Sequence, residues 1–370
     1  MSASEDSFSP SEISRSTFFR LLSCYRTTVR EVYRDKLLVK SRPRGTRKAR
    51  NVGAGGPEDA GARIDEEEEE KMDREIESFL QLDEWRFEKL PRVLRGRAKL
   101  PAGPFLEKDE LVNLMEWKLK HGTYRPTLMG MIQKNPRPLV RKTTADAIAS
   151  IPTADPSTSP DDAFPKESLE TLTGPLRGVG TATASLILSV ATADPDDGRA
   201  RNEEIPFYSD ELYLWLCLED YPSAGRDNGD GDGDGDSPKR QRKSRRTGLA
   251  PTLKYNLREY RQLWDAVHAL QRRLNRDAKP DSSDADETRL FSLTDVEKVA
   301  YVLGHIDVSG YFGTRDKPVL SDASAQELRQ QAAREEDEGE AGGDGDSKKR
   351  KRGGDESADA TKDQKSRKRE

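Results

Sequence analysis

Two glycines spaced by one residue, Gly178 and Gly180, open the segment Leu176-Arg-Gly-Val-Gly-Thr-Ala-Thr-Ala-Ser-Leu-Ile-Leu188. Glycine reaches positive φ and lets a ligand approach the backbone closely. Successive amides in such a turn, joined by those at the start of the next helix, can point at a phosphate. The chemistry expected of Arg177, Gly178, Val179 and Gly180 is capture of a phosphate group, with the Arg177 guanidinium adding charge. The competing reading is a tight interhelical turn in which Thr183 and Ala184 keep the second helix thin. Downstream, Pro206-Phe-Tyr-Ser-Asp210-Glu-Leu-Tyr-Leu-Trp215 places Asp210 at a helix start. A carboxylate there either satisfies free amides and the helix dipole or serves as a catalytic acid or base. The residues alone leave both roles open.

A basic stretch lies upstream. Residues 118–142 carry Lys118, Lys120, Arg125, Lys134, Arg137, Arg141 and Lys142 with no acid between them, and His121 and Tyr124 are interleaved. Lys118, Lys120 and Arg125 are candidate phosphate contacts, because cations that displace counterions dominate nucleic-acid affinity; a solvated helix face is the plainer alternative. Metal chemistry finds little support. The chain has 3 His and 2 Cys, too few for a four-cysteine cluster, and Asp230-Gly-Asp-Gly-Asp-Gly235 meets Gln241 where a calcium loop needs a bidentate glutamate. No cofactor or metal is expected.

The elements that position these residues are helical. Leu111, Leu114, Met115 and Leu119 recur at helical spacing, a second helix runs from Pro126 to Asn135, where Pro136 stops it, and a third covers 137–150. Phe18 to Tyr33 predict a helix over 12–38, Leu253 to Trp264 another, and Thr294-Asp-Val-Glu297 reads as a capping box opening Val296–Leu303. No strand-like alternation stands out, so the expected fold is an all-α multi-helix bundle. Of 370 residues only 33% are hydrophobic and 35% charged, too little apolar matter to bury the whole length. The expected organisation is a mostly disordered N-terminal arm (1–71) with room for one helix, a helical domain (72–222), a low-complexity insertion (223–250), C-terminal helices on the same core (251–310) and a disordered charged tail (320–370). Lys239–Arg246 and Lys348–Arg352 are basic clusters of the kind read by nuclear import receptors, which predicts a nuclear location. The chain has no run of 18 apolar residues, so no membrane span is predicted, and no secretory leader is expected.

Gly178, Val179, Gly180, Thr183 and Ala184, followed by Asp210 after Pro206, resemble the helix-hairpin-helix DNA glycosylase superfamily (endonuclease III-like and 8-oxoguanine glycosylase-like enzymes). The resemblance covers about residues 105–310 and is motif-grade over 176–215. It implies a helix-hairpin-helix at 166–192 that holds the DNA backbone. It also implies that Asp210 stands at the family's catalytic aspartate, which supports an electron-poor sugar or activates a nucleophile after base flipping. Bifunctional members carry a lysine where this chain has Ala182, so the hairpin supplies no Schiff-base amine. Arg177 replaces the usual proline, Gly174-Pro175 falls where a leucine is usual, Asp194–Glu204 is an insertion, and the four-cysteine cluster is absent. The expectation is a nuclear DNA-binding protein without lyase activity. Its alternatives are a monofunctional base-excision glycosylase using Asp210, with Tyr208, Glu211 and Tyr213 as candidate base-pocket residues, and a nuclear adaptor that binds protein.

Overall fold

Apolar residues at spacings of three and four make the helices of this chain. In the computed structural model, which describes residues 6–41, 66–101, 103–152, 162–196, 204–222, 253–279 and 285–313, every regular element among the described residues is a helix. In order they are α1 (Arg15–Ser23), α2 (Tyr25–Ser41), α3 (Glu66–Glu84), α4 (Leu90–Ala98), α5 (Lys108–His121), α6 (Leu128–Gln133), α7 (Arg137–Ala149), α8 (Lys166–Thr173), α9 (Thr181–Thr192), α10 (Asp210–Cys217), α11 (Leu257–Arg276), α12 (Ala285–Thr288) and α13 (Leu293–Gly304). On α11, Tyr260, Leu263, Trp264, Val267, Leu270, Gln271 and Leu274 form one buried stripe, and the Asn256 side chain accepts from Glu259 N–H to cap the helix start. On α5, Glu107 and Glu110 form a reciprocal capping box, and Leu111, Leu114, Met115 and Trp117 face inward.

The helix α9 occupies the middle. Every residue from Ala182 to Val190 is buried, the pattern of a helix enclosed on all sides. It packs on α4, α7 and α8, while α10 packs on α11 and α13, and α13 on α1 and α2. The described residues of the 1–71 segment are therefore part of the core and not a separate arm. The expected N-terminal helix is present as two, α1 and α2, broken at Cys24, and Phe18, Leu21 and Val29 are fully buried. The acidic run Glu66–Glu70 is helical as well: it forms the exposed first turns of α3, where negative charge suits the helix dipole.

The capping box of α13 is Ser292 with Asp295, not Thr294 with Glu297. Both pairs have the right spacing in Ser292-Leu-Thr-Asp-Val-Glu297. Burial selects between them, because starting the helix at Leu293 puts Leu293, Val296, Val299 and Ala300 in the core. Glu297 is left inside, where it forms a 2.7 Å ion pair with Arg86. Arg86 belongs to a π-helical turn, Trp85–Lys89, between α3 and α4, and its guanidinium also lies 3.8 Å from the Phe87 ring centroid. Beside this pair Asp83 accepts from Trp117 Nε1 at 2.8 Å and from Tyr25 Oη at 3.0 Å, while Arg86 Nε and Glu297 Oε1 meet no hydrogen-bond partner among the described residues.

The described residues fall in one compact unit, Met1–Val319. The insertion at 223–250, the tail at 320–370 and both basic clusters lie outside the described residues. No helix among the described residues is long and apolar enough to cross a membrane.

Candidate nucleic-acid interface

The turn between α8 and α9 separates the roles of its two glycines. Gly178 has φ +79°, and a Cβ there would stand 3.1 Å from Met131 Cβ and 3.2 Å from Leu128 Cδ1. Its missing side chain thus serves a left-handed backbone and close packing on α6. Gly180 is extended and exposed, and a Cβ at that position would meet nothing within 4 Å. Val179 is buried, and its N–H already bonds Leu176 O at 3.3 Å. Phosphate capture at this turn would therefore fall to the N–H groups of Gly180, Thr181 and Ala182. These precede the first helical bonds, Thr183 N–H and Ala184 N–H to Gly180 O, and no side chain caps them.

Asn135 fixes the turn. Its side chain accepts from Arg177 N–H at 2.9 Å and donates to Arg177 O at 3.0 Å, while also donating to Ile132 O at 3.1 Å. The end of α6 is thereby tied to the residue preceding Gly178. From sequence, Asn135 was legible only as the residue that ends a helix before Pro136.

The basic stretch divides in the fold. Lys120 pairs with Glu116, Arg137 with Asp109, Arg141 with Glu107 and Lys142 with Asp146. An open surface cleft of about 570 Å³ over Glu107, Arg137, Arg141 and Lys142 is consequently lined by cations that are already neutralised. Arg125, Lys134 and Arg177 are exposed and form no ion pair with a described residue. His121 is a core residue, not part of a basic surface: it stacks 4.6 Å from the Trp117 ring and lies 3.8 Å from the Tyr301 ring, and burial pushes its pKa well down.

Lys118 also departs from its expected role. It turns inward, with Nζ 4.8 Å from the Phe207 ring centroid. Burial pushes the amine down to about 8 against the pull of Asp210. In the same surroundings, Glu211 is raised to about 7 by burial, with Asp210 adding repulsion and Lys36 opposing it. Glu211 fits only because residue 304 is glycine; a Cβ there would lie 2.9 Å from Glu211 Cγ. Lys36 in turn donates to the last carbonyls of the α5 segment, those of Lys120 (2.8 Å), His121 (2.6 Å) and Gly122 (3.0 Å).

Asp210 is the first residue of α10, but Ser209 is its cap, accepting from Leu212 N–H. Asp210 Oδ1 instead accepts from Tyr255 Oη at 2.7 Å, and the Arg125 guanidinium lies 5.0 Å from the Tyr255 ring centroid. Burial first, and then Asp210, raise the Tyr255 pKa. The chain leading to Asp210 is fastened to α9: Ile205 N–H donates to Thr192 Oγ1 and Tyr208 N–H to Ser185 Oγ, both at 2.9 Å. Of the expected base-pocket residues, Tyr208 and Tyr213 are buried and hydrogen-bond Glu259 and Gln262 on α11, which leaves Glu211 beside Asp210. Tyr255 carries no motif that would have marked it in the sequence. Comparison with known proteins gives no match to any family model, curated protein or solved structure.

Proposed function

We propose that this chain binds the backbone of a nucleic acid, with the α8–α9 turn acting as a glycosylase-type helix-hairpin-helix, in a nuclear protein without lyase chemistry at that turn. The observation that carries the reading is the pairing of uncapped amides at Gly180, Thr181 and Ala182 with two exposed cations that lack a carboxylate partner among the described residues: Arg177, whose backbone is held by Asn135, and Lys134, the residue before Asn135. A helix start with unsatisfied amides attracts an anion, and free cations beside it extend the contact along a phosphate chain. Arg125 adds a third charge next to Tyr255. Ala182, 9% exposed, supplies no amine. The test is fluorescence anisotropy with a labelled duplex: Arg177→Glu combined with Lys134→Glu weakens binding at least about ten-fold, and affinity unchanged in a folded variant rejects the reading.

A second reading is supported by the position of Asp210. Because Ser209 performs the capping, the Asp210 carboxylate is left for another task, beside an acid and an amine of displaced pKa, and such clusters concentrate at catalytic sites. Monofunctional base excision is the chemistry it would serve. Base release from lesion-bearing duplexes, lost in Asp210→Asn, is the measurement that decides it.

A further inference from the structure

Tyr124 is the one aromatic residue among the described residues that is exposed, at 69%. Among those residues its ring meets no other ring and its hydroxyl has no hydrogen-bond partner. It lies in the loop between α5 and α6, next to Arg125. Four residues on is Leu128, whose Cδ1 stands 3.2 Å from where a Gly178 Cβ would be. Four residues span at most about 14 Å, and the loop is shortened further by the Leu128 N–H to Arg125 O turn at 3.2 Å. Tyr124 is therefore held within a short reach of the turn. Met131, 40% exposed, is a second apolar side chain at the same place, its Cβ 3.1 Å from that Gly178 position.

We infer that Tyr124 is a stacking platform for an unpaired nucleobase, so that the surface around the α8–α9 turn prefers single-stranded nucleic acid to an intact duplex. The inference rests on the backbone-binding reading above and adds the class of nucleic acid. Bases in a duplex hide their faces against each other, whereas single strands splay them outward, and an exposed aromatic ring beside a cationic track is the means by which proteins hold them. The surroundings select this occupant. Between Lys118 and Lys142 the chain contains no acid; Arg125 and Lys134, which follow Tyr124 and Met131 closely in the chain, and Arg177 of the turn on which Met131 packs are exposed and have no ion-pair partner among the described residues. An apolar protein partner would meet two isolated side chains set among uncompensated positive charge. A polyanion with projecting aromatic faces matches both features. Stacking uses the π-face that all bases share, so little base preference is expected.

The experiment compares anisotropy of a labelled oligo-dT strand with that of a blunt duplex of equal length, using the full chain and its Tyr124→Ala and Tyr124→Phe variants. The wild type is expected to bind the single strand more tightly. Tyr124→Ala is expected to lower the single-strand to duplex affinity ratio about ten-fold, with Tyr124→Phe retaining it, because phenylalanine keeps the ring. A ratio that does not change in Tyr124→Ala, or a phenylalanine variant that behaves like alanine, overturns the inference while backbone binding stands. Preference for the duplex in the wild type overturns it also. Failure of the wild type to bind either probe removes the backbone reading beneath it. An exposed side chain is a safe site for substitution, and equal melting temperatures of the three proteins confirm that the comparison is between folded molecules.

Discussion

The side chain of Asn135 and the backbone of Arg177 form a closed pair of hydrogen bonds, Arg177 N–H to Oδ1 at 2.9 Å and Nδ2 to Arg177 O at 3.0 Å. An amide side chain that offers one acceptor and one donor reproduces a strand-like pairing at a single residue. Asn135 is 1% exposed, so Asn135→Ala leaves Arg177 polar groups without their partner. The expected loss is about 1–2 kcal/mol, since an orphaned buried group costs about 1–3 kcal/mol and these Arg177 groups are only part-buried, where water takes over some of the bonding. It is read from the shift of the urea midpoint, and nucleic-acid affinity is expected to fall with it even though no phosphate-facing atom has changed. A midpoint within experimental error of wild type contradicts the latch.

The two glycines of the turn are expected to separate stability from binding. Gly178→Ala forces an L-residue to φ +79° and a Cβ against Met131, and costs about 2 kcal/mol. Gly180→Asp meets no atom within 4 Å, and at the N-cap of α9 an aspartate holds or slightly raises stability. That same carboxylate occupies the amides a phosphate would use and repels it, so binding is expected to fall while melting temperature does not. Equal effects of both substitutions on both readouts would contradict the division of roles.

The salt dependence of binding follows from which cations are free. With Arg125, Lys134 and Arg177 unpaired among the described residues and the cations of α7 neutralised, log affinity for duplex DNA is expected to fall against log salt with a slope of about −2.7, that is about −0.9 for each phosphate met. Arg177→Ala should reduce that slope by about one phosphate. Arg141→Ala, which opens the Glu107 pair instead, should leave it unchanged.

Stability should vary with pH through Glu211. Its folded value of about 7 lies above the ordinary 4.5 because burial disfavours its charge. Between those values the folded chain holds a proton that the unfolded chain has released, so stability present below pH 4.5 is lost as pH rises through about 7, by at most about 3 kcal/mol. Lys118 and Lys36 act in the opposite sense and in another window. Their folded values of about 8 lie below 10.5, so they favour stability as pH rises from 8 towards 10.5. Asp210 and Glu297 face Glu211 as well and repel its charged form. Glu211→Gln is expected to flatten the fall between about pH 5 and pH 7 in a series of urea titrations; a slope equal to that of wild type rejects Glu211 as its source.

The hydrogen bond between Tyr255 and Asp210 is measurable by itself. Tyr255→Phe and Asp210→Asn are each expected to cost about 1 kcal/mol, with a double-mutant cycle returning a coupling of similar size. Incubation with an abasic duplex and borohydride should yield no adduct on the α9 peptide, because position 182 is alanine.

Helix content and the buried faces of α5 and α11 were legible because apolar periodicity reports burial directly. The enclosure of α9 was also partly legible, in a run of Leu186, Ile187, Leu188 and Val190. What the sequence did not disclose depends on long-range partners. A basic run of like residues gives no sign that Lys118 turns under Phe207 while Arg137 and Arg141 meet carboxylates from the start of α5. Two overlapping capping patterns at Ser292 and Thr294 cannot be separated until the core selects the phase of α13. Asn135, Tyr255 and Gly304 act through residues between 42 and 93 positions away in the chain, and no local pattern announces such contacts.

The bond from Ile205 N–H to Thr192 Oγ1 closes the base of the segment between α9 and α10. Chain leaves the end of α9 and returns beside the place it left, and Ser185 then fixes Tyr208 two residues before Asp210. Two side chains of α9 thus fasten the approach to Asp210 to the same helix that begins at the Gly180 turn, so a shift of α9 would carry the carboxylate and the turn together.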